Sequence, residues 1–151
     1  MTTNEYLSQI STLNAKINKE LELLSDMKCS AISVSAVENK GRVQTTPDHD
    51  RISSVICKIV EKEKQIDGLI DKYVNLKEKI KFQINLLSNE KHKFILTEKY
   101  VNGESIYSIA EKLKMTDRGC KKAHKRALEE FEKIKNTIYS ITIDSSPLNV
   151  V

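Results

Sequence analysis

Tryptophan is absent, aromatic residues make up 5% of the chain, and its 151 residues include only four glycines and two prolines. So few turn formers leave little material for the frequent reversals of a β-sandwich or barrel, and they predict long helices. Hydrophobic residues still reach 39%, which suits a helical protein packed with Leu and Ile. The three cysteines, Cys29, Cys57 and Cys120, are odd in number and widely spaced. Nothing in that spacing resembles a disulfide framework or a zinc cage. No apolar run approaches the ~18 residues of a membrane span, and the start MTTNEYLSQIS lacks the basic and apolar stretches of a secretory signal. A cytoplasmic protein with reduced thiols is expected. Phosphate loops, GxSxG and HExxH motifs are missing as well, so neither an enzyme nor a cofactor is expected.

Charge is present but uneven. Residues 1–90 carry 13 basic and 13 acidic side chains, whereas residues 91–151 carry 12 basic and 8 acidic ones. The whole net charge of +4 therefore belongs to the last part of the chain, a modest pointer to an anionic partner.

Leu7, Ile10, Leu13, Ile17, Leu21 and Leu24 recur at steps of three and four, predicting a first helix over residues 4–27. Residues 28–50 lose that period and contain Ser, Thr, Asn, Gly and Pro, which predicts a long loop. A second helix is predicted over residues 50–87, with Ile52, Ile59, Ile66, Tyr73, Ile80 and Leu87 seven residues apart. That regularity predicts an antiparallel hairpin with the first helix, and a homodimer through Ile52, Ile59, Ile66, Tyr73 and Ile80. Ser88 or Asn89 reads as a fresh N-cap, and three shorter helices fit over 90–101, 105–113 and 117–139. The expected fold is all-α: a long, coiled-coil-like antiparallel hairpin over residues 1–88 with its loop at 28–50, then a three-helix helix-turn-helix domain over 89–139, and a flexible tail over 140–151.

Within 96–131 the apolar residues stand where a helix-turn-helix must bury them: Leu96 and Tyr100 on a supporting helix, Ile106, Ile109, Ala110 and Leu113 on the next, and Met115 in the turn. Gly103 ends the supporting helix, Ser105 caps the next, and Thr116 caps the last, with Asp117 in its first turn. On a wheel advancing about 100° per residue, Arg118, Lys121, Lys122 and Lys125 share one arc, while Cys120, Ala123, Ala127 and Phe131 lie opposite. Glu129 closes the basic stripe, which is thus confined to the N-terminal turns, the part that enters a major groove in such motifs. By likeness to such motifs at matching positions, Arg118 suits bidentate guanine readout and the lysines suit phosphate, with Thr116 and Ser105 nearer phosphates and Arg126 a packing-edge or phosphate residue. Duplex DNA is the expected partner.

Leu96, Tyr100, Gly103, Ser105, Ile109-Ala110, Leu113, Thr116 and Arg126-Ala127-Leu128 resemble the helix-turn-helix of region 4 in sigma-70-type factors. Two residues depart from that pattern: Lys114, in the turn where glycine is common, and Gly119, inside the recognition helix. The opening YLSQI, the GRVQTT segment and the long second helix extend the likeness to a small family encoded by phages and prophages of Gram-positive bacteria. The resemblance implies a late-gene activator that binds a specific DNA sequence in the bacterial host's cytoplasm, beside host RNA polymerase. With no room for a promoter-melting domain, a complete sigma factor is not expected.

Other readings remain open at this point. Small phage terminase subunits also join helix-turn-helix units to long helices, so a DNA-packaging ring is one alternative. A coiled-coil adaptor that binds an acidic protein rather than DNA is another. Cys120 and His124 have the i, i+4 spacing of metal ligands, but two further ligands would have to come from Cys57 and His92, which nothing brings near. No metal is expected. Glu61, Glu63, Asp67 and Asp71 alternate with lysines as on a solvated helix face.

Overall fold

The computed structural model describes residues 1–38 and 49–144, and every regular element among them is helical. Helix α1 spans Thr3–Glu38 and α2 spans His49–Asn85. Helix α3, Glu90–Leu96, continues into a π-helical turn, Thr97–Val101. Helices α4, Ile106–Lys112, and α5, Asp117–Asp144, complete the order. None of these helices is long and apolar enough to cross a membrane.

A reciprocal capping box starts α1. The Glu5 N–H donates to Thr2 Oγ1 (3.3 Å) and the Thr2 N–H donates to Glu5 Oε2 (2.7 Å). The backbone bond from Thr2 holds the Glu5 carboxyl below its ordinary value. At the far end α1 outruns the expected loop, because residues 28–38 are helical. The stretch is rich in serine, yet the Ser33 hydroxyl donates to the Cys29 carbonyl one turn back (3.0 Å) and so leaves the helix intact. The true helix breakers, Gly41 and Pro47, both come later. The rest of the expected loop, 39–48, lies outside the described residues. Helix α5 likewise continues past Tyr139 to Asp144, so the start of the expected tail is helical; residues 145–151 are not described.

The chain divides into two compact units, and the boundary does not fall at residue 88. Residues 13–74 form one unit, the inner lengths of α1 and α2. Side chains between Asp26 and Ile32 line a cavity with side chains between Arg51 and Lys58, while Glu20 pairs with Lys62, so the two helices run antiparallel. Lys28 Nζ adds an ion pair to Glu63 (2.7 Å). Ile17, Leu24 and Ile66 are buried between them, whereas Leu21 is 43% exposed.

Two of the five residues of the expected dimer stripe are buried within the chain. Ile66 and Ile80 are 3% and 0% exposed, and Ile52, Ile59 and Tyr73 are half-buried. Full burial of Ile66 and Ile80 stabilises the fold by about 1.5–3 kcal/mol each, so offering these two to a twin would forfeit that gain. The large apolar residues that α2 leaves exposed are Ile56, Val60, Ile70, Val74 and Phe82.

Residues 1–12 and those from 75 onward form the second unit. Leu7, Ile80, Ile84, Ile95, Leu96, Ile109, Cys120, Ala127 and Phe131 are buried there to 2% or less. Polar contacts tie its distant segments together. Tyr6 donates to Gln83 Oε1 (2.9 Å) and its ring lies 6.3 Å from that of Phe131, with Lys135 Nζ 4.7 Å from the Tyr6 centroid. Phe131 is wholly buried, whereas Phe82 is 65% exposed. In urea denaturation Phe131→Ala is expected to lose about 3–5 kcal/mol, and Phe82→Ala to stay within about 0.5 kcal/mol of the parent.

Candidate nucleic-acid interface

The helix-turn-helix is assembled from caps that the residues dictate one by one. Asn89 caps α3, its Oδ1 accepting from the Lys91 N–H (2.9 Å). The π turn ends where the Asn102 N–H donates to the Thr97 carbonyl (3.0 Å), and Gly103 follows at φ 77°, the left-handed conformation glycine adopts freely. Ser105 caps α4 by accepting from the Ser108 N–H (3.2 Å), and Thr116 caps α5 by accepting from the Gly119 N–H (3.2 Å). Each capping hydroxyl keeps its own proton to donate outward.

Between α4 and α5 the chain turns at Lys114, whose φ is 52°. This is why glycine is common there. A side chain in the left-handed region costs about 1–2 kcal/mol. Gly119 has a local reason of a different kind. A Cβ there would sit 3.1 Å from Thr116 Oγ1 and 3.6 Å from Met115 Cε, crowding the cap.

The core of the motif is Ile95, Ile109, Ala110 and Cys120, with Ile106, Leu113 and Ala123 packed against it. Cys120 is thus fully buried, and burial pushes its thiol above the ordinary value. His124 is engaged with Tyr100. The Tyr100 hydroxyl donates to Asn4 Oδ1 (2.6 Å), and His124 Nε2 lies 2.9 Å from the same oxygen. With the one phenolic proton given to Asn4, Nε2 carries a hydrogen and donates to Tyr100. Burial raises Tyr100 to about 12. Burial, then the nearby Lys99 charge, lowers His124. Among the described residues no group of three or more His, Cys, Asp or Glu is placed to hold a metal.

Two acidic positions brace the frame. Glu98 accepts from Lys112 Nζ (2.6 Å) and from Asn102 Nδ2 (2.8 Å), with the lysine bond the main reason its carboxyl is lowered. Glu130 is lowered chiefly by His92, whose Nδ1 lies 2.5 Å from Oε2, and it also accepts from the Ser88 N–H (3.0 Å).

With Cys120, Ala127 and Phe131 turned inward, Arg118, Lys121, Lys122, Lys125 and Arg126 are all exposed. None of them forms an ion pair among the described residues. By contrast Lys112 on α4 is held by Glu98 and, at 3.5 Å, by Glu104. Ser105 and Thr116 are exposed as well, immediately before the first residues of α4 and α5. Lys122 and Arg126 line a cavity with Asn89, Lys91 and His92, whereas no hydrogen bond or ion pair joins Ser105 to the cations of α5. Two residues of this surface escape the sequence pattern. Tyr107 is 63% exposed with Lys121 Nζ 5.6 Å from its ring centroid, and Lys91 reaches the cavity from α3. No spacing rule links positions 91 and 122; an aromatic residue one step after Ile106 is the only available cue for Tyr107.

Lys114→Gly is expected to raise stability by up to about 1.5 kcal/mol in urea denaturation, since relief of about 1–2 kcal/mol outweighs glycine's extra backbone entropy of about 0.5–1 kcal/mol. A drop in stability would contradict the strain at this turn. His124 is depressed in the folded state, so the unfolded chain binds more protons just below its ordinary value of 6.5. Stability is then retained above that value and lost as pH falls beneath it. Between about pH 7 and pH 5.5 the parent should lose thermal stability more steeply than His124→Gln; the lowered carboxylates Glu98 and Glu130 act below their ordinary 4.5, outside this window. No family model, curated protein or solved structure matches the chain, so the likeness over residues 96–128 stands on those residues alone.

Proposed function

We propose that this chain is a sequence-specific duplex DNA-binding transcription regulator that reads a major groove with the first turns of α5. One observation carries the reading: Arg118, Lys121, Lys122, Lys125 and Arg126 are exposed together on a helix whose opposite edge is locked into the core, and no carboxylate among the described residues neutralises them. Lysine and arginine held this way displace counterions from phosphates, which supplies most of the sequence-independent affinity. Arg118, nearest the start of α5, has the planar fork that pairs with guanine O6 and N7. Exposed Ser105 and Thr116 add hydroxyl donors suited to phosphate oxygens. Work beside host RNA polymerase on late genes follows from the sigma-like residues, and belongs to the same proposal.

A gel-shift with DNA from upstream of the chain's own gene, run at several salt concentrations, tests it. Combined replacement of Lys121, Lys122 and Lys125 by alanine should weaken binding and flatten the log K against log salt slope by about 0.9 for each phosphate that is no longer neutralised. Unchanged binding in the triple variant would reject these residues as the interface. Arg118→Ala should cost about 1–3 kcal/mol on the preferred site and relax discrimination at one base pair.

A further inference from the structure

Beside the groove-reading face lies a concavity of about 330 Å3 lined by Asn89, Lys91, His92, Met115, Gly119, Lys122, Ala123 and Arg126. Its rim carries three permanent cations, one from α3 and two from α5, and its lining includes no carboxylate. The neighbouring acid, Glu130, is tied back by His92 (2.5 Å) and the Ser88 N–H (3.0 Å). Like charges gathered around one hollow repel, and an anion seated among them removes that repulsion. Gly119 lies in the lining, where a Cβ would meet Thr116 Oγ1 at 3.1 Å and Met115 Cε at 3.6 Å.

We infer that Lys91, Lys122 and Arg126 clamp a backbone phosphate of the bound duplex in this concavity, so that the supporting helix α3 joins the interface through a residue outside the recognition helix. This rests on the DNA-binding reading above and adds a phosphodiester site to it. Lys122 and Arg126 belong both to the cavity and to the exposed cationic face of α5, so a strand followed by that face is the anion source at hand. A contact of this kind fixes register along the duplex and carries no sequence information.

The test uses the full chain and a labelled duplex of arbitrary sequence, titrated between about 50 and 200 mM salt. Lys91→Ala should lower affinity by a similar factor on every duplex and reduce the salt slope by about 0.9, while Lys91→Arg restores both. Lys72→Ala, which removes an equal charge from exposed α2 surface, is the control and should change neither. An equal loss in Lys91→Ala and Lys72→Ala would overturn the clamp in favour of bulk charge. So would an unchanged slope in Lys91→Ala alongside abolished binding in the Lys121, Lys122, Lys125 triple variant, which leaves the DNA reading standing. Inorganic phosphate at matched ionic strength distinguishes the sources. It should compete with the duplex only weakly; strong competition that Lys91→Ala abolishes, with duplex affinity unchanged, would make the concavity a free-phosphate site and reject the clamp. Failure of the parent chain to bind any duplex would reject both.

Discussion

Cys120, Ala127 and Phe131 lie along one edge of α5, and all three are fully buried. A helix held at three points over three turns cannot rotate about its axis without exposing them, and the burial of Phe131 alone resists with on the order of 1.5–3 kcal/mol. This constraint decides where every cation of α5 points. It turns a list of basic residues into a surface. It also fixes Ala123, half-buried against the motif core, which lines the cationic concavity together with Met115.

Polar contacts then position the frame around that edge. Tyr100, on the π turn, meets both Asn4 at the start of α1 and His124 on α5. The widened turn leaves Tyr100 and Val101 both buried at 7% and 6%. Glu98 on the same turn ties α4 through Lys112, and Glu130 ties α5 to the start of α3 through His92 and Ser88. Glu98 and Glu130 are thereby occupied with structure and do not discharge the face. The strain accepted at Lys114 has a related cause: a short turn is needed to bring α4 onto α5, and packing in the motif core offsets the left-handed backbone.

Much of this is legible in the residues alone. Asn89, Ser105 and Thr116 are capping types standing just before apolar periods, and each does cap its helix. The wheel of α5 separates Cys120, Ala127 and Phe131 from the cations because a 3.6-residue period needs no tertiary knowledge. Legibility ends where non-local packing decides. Residues 28–38 look like loop by composition, yet serine bonds back into its own helix and no Gly or Pro intervenes. The heptads of α2 announce an apolar face but do not say whether α1 or a twin covers it; Ile66 and Ile80 are covered within the chain. Lys91 is invisible to any pattern because only folding brings α3 beside α5.

The bond between Asn4 and Tyr100 joins residues 96 apart, and that between Tyr6 and Gln83 joins residues 77 apart. Closing such long loops is slow compared with local helix formation. During synthesis at about 5–20 residues per second, the first turns of α1 leave the ribosome well before the residues they will pack against. The recognition helix is therefore seated late, on a frame whose opening residues have waited seconds for their partners. A nascent chain that has not yet emitted α5 lacks both its cations and the buried edge that aims them, so the cationic surface of that helix arrives all at once and not piece by piece.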